Sequence, residues 1–393
     1  VDAVSLADEL FRRVDAKRER LGSIVRYLHD NPEIGGMETE SAAFLCEILR
    51  TQAFEIQVGV AGLPTAFVGT FCGSDQIEPR VAFVVEYDAL PSLGHACGHN
   101  ASAAASMGAC LALAEVMREH RLPGTCMAAG TPGEENLAGK IPMIKAGIFH
   151  GVSAVMMAHA YDHWIIESQA MALDAMEFSF KGRPAHGAVA PHEGINALDA
   201  VMLTFHGINC LRQHVLDGSR IHGIVTHGGD APNIVPEKAV AEYYVRARNS
   251  EYLKELTRRV QDCARGAALA TGCELEITTF EPHQDNLKSN KVLLELFRAN
   301  LSRWVDSSQI IQTPEALGST DMGNLSHAVP SIHPLMPVAP KGVNVHTHEF
   351  ARATLSEEAL NTVVLAASAM ACTALDIILD EEKRDAVARE FGG

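Results

Sequence analysis

The 393-residue chain is short of positive charge: 32 Lys and Arg stand against 49 Asp and Glu, a net charge of −17. That balance argues against nucleic acid or an anionic membrane surface as a partner. It leaves room for a small anionic substrate, because one local basic residue can hold a carboxylate inside an acidic protein. No apolar run is expected to reach the roughly 18 residues of a membrane span. Val1 to Arg20 is charged and helical in pattern and carries no basic-then-apolar leader. The chain starts at Val1, so a few residues are expected to precede it. Internal repeats and low-complexity tracts are also missing. Nine cysteines, an odd count, lie scattered in apolar contexts such as Phe71-Cys72 and Met370-Ala371-Cys372. With no secretory signal they read as reduced thiols in a cytoplasmic protein.

What is plentiful is histidine, 18 residues, several of them in tight clusters. The length suggests two domains, and 47% hydrophobic residues can build the cores of both. Helical periodicity covers 3–29 and 38–52, followed by apolar strands at 55–58, 65–71 and 80–86. A helix over 99–120 and strands at 125–130 and 154–158 continue the alternation. This is an α/β pattern: a largely parallel sheet with helices on both faces. From 170 to 286 the order changes to strand (174–181), helix (194–215), strands (221–227, 239–248), helix (252–269) and strand (273–280). That is the order of a ferredoxin-like α+β unit inserted into the first domain. Residues 1–169 and 287–393 then form one domain, with helices at 290–304 and 355–379, and 170–286 form the other.

The stretch Gly94-His95-Ala96-Cys97-Gly98-His99-Asn100 sits where a strand ends and a helix begins, the usual crevice for chemistry in an open α/β sheet. Further strand ends and loops carry Glu134-Glu135, His159 and His346. Taken singly, each has a plain reading: a buried thiol, a solvated acidic loop, a core or surface histidine. Together, thiolate, imidazole and carboxylate suit a borderline-soft divalent ion, and two ions sharing one ligand would use all five groups. Adjacent glutamates also allow a division of labour, one holding metal and the other acting as a base on water.

These motifs resemble the co-catalytic metallopeptidase and amidohydrolase family of carboxypeptidase G, the aminoacylases and the indole-acetyl-amino-acid hydrolases. Glu86-Tyr87-Asp88-Ala89-Leu90-Pro91, the Cys97 stretch and Gly318-Ser319-Thr320-Asp321-Met322-Gly323-Asn324 are similar to the branch of p-aminobenzoyl-glutamate hydrolase and certain dipeptidases. The resemblance implies metal ligands at Cys97, His99, Glu135, His159 and His346, with Glu134 as general base and Asp88 orienting a ligand. His346 fits the family's His-x-x-x-Phe spacing to Phe350 better than His348 does. Relatives with a His-x-Asp motif have a ligand where this chain has Glu86, so Glu86 stays open as an extra contact.

In the inserted module, Phe180-Lys181-Gly182-Arg183-Pro184-Ala185-His186-Gly187 resembles the segment whose histidine enters the neighbouring subunit's active site. The resemblance thus implies a homodimer, a lid role for the module, and His186 on the scissile carbonyl oxygen. Asn233 and Arg246 match a pair that holds the substrate carboxylate in carboxypeptidase-like relatives. Arg suits that work through its planar fork, although a strand-end ion pair is the plain alternative. The expected activity is hydrolysis of an amide in an N-acyl amino acid, an aminobenzoyl-glutamate-like conjugate or a dipeptide. The expected cofactors are two divalent ions, zinc or manganese, with cobalt also able to use these ligands. Competing readings are cleavage of a carbamoyl, ureido or aromatic amine group, a non-catalytic metal- or ligand-binding protein, and a redox thiol at Cys97. Retention of Glu134 weighs against a binder, and the lack of a nearby resolving cysteine weighs against the thiol.

Overall fold

The structure, a computed structural model, describes residues 3–311 and 318–392. These residues divide into two compact units. One takes the chain up to Gln169 and the residues from Leu287 and from Asp321 onward; the other takes Ala170–Asn286 with Gly318, Ser319 and Thr320.

The first unit opens with helices α1 (Ala3–Asp15), α2 (Arg18–Asp30) and α3 (Thr39–Arg50). The pattern expected to run unbroken over 3–29 is two helices, parted at Ala16 and Lys17. Strands β1 (Glu55–Val58), β2 (Phe67–Cys72) and β3 (Arg80–Val85) follow, then α4 (His99–His120), β4 (Thr125–Gly130) and α5 (Lys140–Lys145). Next come β5 (Val152–Met156), β6 (His159–Tyr161) and β7 (Trp164–Ile165). The second unit holds β8 (Ala172–Lys181), α6 (Ala197–Leu211), β9 (Arg220–His227), β10 (Lys238–Ala247), α7 (Ser250–Thr271) and β11 (Glu274–Gln284). The chain returns to the first unit with α8 (Lys291–Leu301), β12 (Ile310–Ile311), α9 (Met322–Ala328), β13 (Ser331–Ile332) and β14 (Leu335–Pro337). It ends in α10 (His348–Ala353), α11 (Glu357–Leu379) and α12 (Glu381–Gly392).

The main sheet has the order β1-β2-β4-β3-β5-β13. Its β4-β3-β5-β13 part is parallel, and β1 and β2 add antiparallel strands at one side. The central strand β3 is buried from Val81 to Val85, the continuous apolar run of a strand covered on both faces. Residues following β3, β4, β5 and β13 therefore emerge at one edge, the carboxyl ends of the parallel strands. A second, small sheet of the order β12-β7-β14-β6 begins with His159. Its strands of two or three residues were not expected, and His159 starts one of them.

Helix α4 is built from small residues and buried along nearly its whole length, on all sides. An evenly apolar helix of this kind belongs inside a core. Helices α4 and α11 are long and apolar enough to cross a membrane, which corrects the expectation that no such run exists. In the fold 94% and 83% of their apolar windows are buried.

The second unit is a four-stranded antiparallel sheet in the order β11-β8-β10-β9, with α6 and α7 packed on it. Asn196 caps α6 by accepting from the Leu198 and Asp199 amides, and Asn249 caps α7 by accepting from Tyr252. The result is the ferredoxin-like arrangement. Its core includes Phe178, Phe180, Tyr243, Leu253 and Val260.

Candidate metal centre

Three loops at the carboxyl edge of the main sheet deliver the polar groups. The first follows β3 and leads through Glu86 and Asp88 to Cys97 and His99. Gly98, at φ +82°, lies in the left-handed region between the two, and a Cβ there would come 2.3 Å from the Ala160 Cβ. Only glycine fits, and the turn it makes presents both neighbours to one place. The second loop follows β4 and holds Glu134 and Glu135; the third follows β5 and holds His159. A fourth segment brings His346, whose own φ of +63° is unusual for a side-chain-bearing residue. The His346 amide donates to the Ala96 carbonyl at 2.8 Å, which ties this segment to the cysteine loop.

Cys97, His99 and His159 each place a donor atom within 4.8 Å of the others, and so do Cys97, Glu135 and His346. The thiol is common to both groups. His99, Glu134 and Glu135 make a third group within the same limit. The Cys97 Sγ lies 3.6 Å from His159 Nε2, and His346 Nε2 lies 3.4 Å from Glu135 Oε1. His348 starts α10 and, like Glu86, joins none of these groups among the described residues.

The hydrogen bonds around the cluster leave metal-binding atoms free. His159 turns Nδ1 to the Ala160 carbonyl at 2.8 Å, and His99 Nδ1 is 2.9 Å from both the backbone oxygen and Oδ1 of Asp88. Each imidazole thus has Nδ1 engaged and Nε2 directed inward, the arrangement that hydrogen-bond partners behind the ring impose on metal-binding histidines. His99 Nε2 and Glu135 Oε1 are buried without a hydrogen-bond partner. Beside a thiol and another imidazole, and with only ion-pair contacts to Glu86 at 3.3 Å and His346 at 3.4 Å, these two atoms are what a cation would satisfy, so the residues fit a metal pair. Asp88 also accepts from the Glu135 amide at 3.1 Å through Oδ2, so one carboxylate orients both a histidine and the glutamate loop.

Electrostatics divide the set: burial opposes charge on His99, but Asp88, Cys97 and Glu86 hold its imidazole well above the ordinary value. Burial pushes the Cys97 thiol well above its ordinary range, with Glu135 and Glu134 adding to the effect. Burial, then Glu86, Glu135 and Asp321, drive the Glu134 carboxyl well above its ordinary value. Burial lowers His159, which keeps its imidazole neutral and able to donate an electron pair. For Glu135, burial is outweighed by His346 and His99, which hold the carboxylate down at about 2. A cation here would favour the thiolate and the ionised Glu134 together.

Several residues of this region were not singled out in the sequence. Lys140 is fully buried, with Nζ 2.6 Å from Glu86 Oε1 and against Asp321 Oδ1. Glu38 is buried beneath the glutamate loop and accepts from the Gly133 amide at 2.8 Å and the Thr65 hydroxyl at 2.9 Å. His333 is buried with its ring 5.3 Å from that of His159, and burial lowers it to about 3. A lysine opening a short helix looks like a surface residue, and nothing in its spacing marked it. Asp321 lies in a stretch that carried the resemblance, but no role was attached to it.

His186, Asn233 and Arg246 belong to the second unit. His186 bridges Ile234 in antiparallel fashion, and the Gly187 amide donates to the Asn233 carbonyl at 2.9 Å, so the first two lie on neighbouring paired segments. Arg246 on β10 donates to the Ser319 hydroxyl at 2.8 Å and lies over the Tyr244 ring. No carboxylate is its partner in these bonds, unlike in the strand-end ion pair considered from sequence.

Comparison with known proteins adds the following. Residues 172–271 match the peptidase dimerisation domain of the M20 family. The chain is 35% identical over 397 residues to the Xaa-Arg dipeptidase of Mus musculus, covering 96% of this chain and 90% of that one. It is 33% identical over 291 residues to one of the subunits of the p-aminobenzoyl-glutamate hydrolase of Escherichia coli, covering 68% of this chain and 60% of the relative. Among solved structures, a dinuclear metal-binding peptidase of the M20 family from Bacillus subtilis shares the fold, with a TM-score of 0.71 at 22% identity. That match covers 92% of this chain and 99% of the other.

Proposed function

The chain belongs to the M20 peptidase family and is a hydrolase of amide bonds, and from that premise we propose that it cleaves the amide of a dipeptide or N-acyl amino acid with a free carboxylate, using two divalent ions held by Cys97, His99, Glu135, His159 and His346. The observation that carries the reading is the Cys97 thiol shared by two donor groups, with Glu134 beside them. Cys97, His99 and His159 would hold one ion, and Cys97, Glu135 and His346 the other. Zinc and manganese suit this mixture of sulfur, nitrogen and oxygen donors, and cobalt can use it too. When bound, such ions make water acidic enough to attack at neutral pH and polarise the substrate carbonyl.

The chain's own residues do the rest. Glu134 takes the proton of the attacking water and returns it to the departing amine. Asp88 keeps His99 and the Glu135 backbone in place. His186 donates a hydrogen bond to the carbonyl oxygen as charge grows on it, acting across a homodimer, and the second unit serves as dimerisation module and lid. Arg246 and Asn233 hold the substrate carboxylate. The names of the mouse and E. coli relatives, a dipeptidase and an aminobenzoyl-glutamate hydrolase, support substrates that end in an amino acid. The dimer is supported by the match to a dimerisation domain and by edge strand β9, which carries exposed Ile224 and Val225.

The test is hydrolysis of dipeptides, N-acyl amino acids, aminobenzoyl-glutamate and carbamoyl compounds by protein loaded with zinc or manganese, with and without chelator. Metal-dependent turnover of carboxylate-ended amides is expected; turnover of carbamoyl compounds alone would contradict the substrate class. Mixing Glu134→Gln chains with His186→Ala chains should restore part of the activity. No restoration would contradict a histidine acting across subunits.

A further inference from the structure

The glutamate loop between β4 and α5 is held at both ends by buried charge. At its start Glu38 accepts from the Gly133 amide, and at its end the Lys140 amide donates to Asp321 Oδ2 at 3.1 Å. The Lys140 ammonium then joins two carboxylates, Asp321 and Glu86, all three side chains having no exposure to solvent. The line of contacts does not stop there, because Glu86 Oε2 lies 3.3 Å from His99 Nε2. His99 leans on Asp88, and Asp88 accepts from the Glu135 amide. One closed circuit therefore runs Glu135, loop, Lys140, Glu86, His99, Asp88 and back to Glu135.

We propose that Lys140 is a positioning residue: its buried ammonium, fixed between Glu86 and Asp321, sets where the Glu134–Glu135 loop and the His99 ring stand relative to the metal pair. The inference rests on the reading of the metal centre given above and goes beyond it by assigning work to three residues outside the proposed ligand set. A merely space-filling group would not need charge here. Burying an ammonium with two carboxylates costs desolvation, and apolar side chains of the same volume serve stability equally well or better. What an ion triad adds is fixed direction. Glu86, sitting against the nitrogen that His99 offers to metal, is drawn by Lys140 through its other oxygen. Its carboxylate is thereby kept in one place beside the coordination set, while Asp321 pins the first turn of α5 through both backbone and side chain.

The experiment compares the parent protein with Lys140→Met and with the triple variant Glu86→Gln/Lys140→Met/Asp321→Asn. The triple variant keeps the shapes, and the amide side chain it places at position 321 can still accept from the backbone N–H of position 140. It therefore guards against a variant that simply fails to fold. Each is stripped of metal, melted, titrated with Zn(II) and with Mn(II) by calorimetry, and assayed after loading. The triple variant is expected to melt close to the apo parent while binding the second equivalent of metal about tenfold more weakly or worse. Its kcat should fall about 100-fold or more with KM within about threefold, because a misplaced base affects the transition state and leaves substrate binding alone. Lys140→Met should show the same losses together with a lower melting temperature, since it leaves two carboxylates unmatched. Parent-like metal affinity and kcat in a folded triple variant would overturn the inference, as would a triple variant that cannot fold. A parent that takes up no metal would overturn the reading of the site and this inference with it. A parent that does, beside variants that match it, overturns the inference alone.

Discussion

Two polar clusters meet at the carboxyl edge of the main sheet, one wholly buried and one open to solvent at His346, and they are opposite in character. Around Lys140 each charged group has a charged partner within the protein, one ammonium facing two carboxylates. Burial opposes ionisation of Glu86, but Lys140, His99, His159 and His333 together outweigh it and hold the carboxylate at about 2, while Asp321 and Glu86 raise the ammonium in return. Around Cys97 the groups meet one another only at 3.3 to 3.6 Å, with His99 against Glu86, His346 against Glu135 and the thiol against His159. The thiol and Glu134 are both pushed up by burial, and His99 Nε2 and Glu135 Oε1 have no hydrogen-bond partner. Distance in space is small between the two; chemistry divides them. A cluster that brings its own buried ammonium is scaffold, and one made of thiol, imidazole and carboxylate without an ammonium of its own is a site for a metal ion.

The comparison breaks most visibly at Glu134. Glu134→Gln should cut kcat by about 100- to 10,000-fold, the usual worth of a general acid–base group, while metal content stays at the parent level. Loss of metal in that variant would move Glu134 from the base to the ligand set. Cys97→Ala removes the donor common to both groups and should cost more metal affinity than Asp88→Asn, for which a drop of about 10- to 100-fold is expected for a partner of a ligand. Competition with a chromogenic chelator ranks the two, and equal losses would deny Cys97 its shared place.

Removing metal altogether should lower thermal stability, since an ion present at about 1,000 times its Kd contributes about 4 kcal/mol. Melting with and without chelator measures this. The same chelator should do little to a variant already lacking Cys97, and an equal drop in both would place the bound ion elsewhere.

The smallest effect belongs to the second unit, where His283 is paired with two carboxylates and partly in water. His283 Nδ1 is 2.7 Å from Asp174 Oδ1 and its Nε2 is 3.2 Å from Asp285 Oδ1. The hydrogen bond to Asp174 raises the imidazole above its ordinary value although burial works against it. A raised histidine contributes its full stability below the unfolded value of about 6.5 and loses it as pH climbs through the folded value. Solvent screening keeps the contribution under about 1 kcal/mol. Melting temperature should therefore decline slightly as pH rises above about 6.5, and His283→Gln should flatten that decline. A variant as pH-dependent as the parent would remove His283 as its source.

How much of this could be read from the chain alone depended on whether local pattern or tertiary packing decided the outcome. The parallel core was legible because β3 is a continuous apolar run bounded by loops, and the ferredoxin-like order because its strands alternate and its helices are long. The small sheet was not, since strands such as Trp164–Ile165 and Ile310–Ile311 are too short to show a period. The break at Ala16 and Lys17 escaped because both residues are sound helix formers. Cys97, His99, Glu134, Glu135, His159 and His346 stood out by residue type at strand ends and by resemblance. Lys140 and Glu38 did not, because lysine and glutamate are ordinarily exposed, and only the packed fold reveals that these two are fully buried.

The central claim is that one thiolate serves two ions beside a free glutamate, and metal analysis by mass spectrometry tests it most directly. Purified protein dialysed against zinc or manganese should retain two equivalents per chain, and Cys97→Ala should retain one or none. Retention of a single equivalent by the parent, or of two by the variant, would contradict the account.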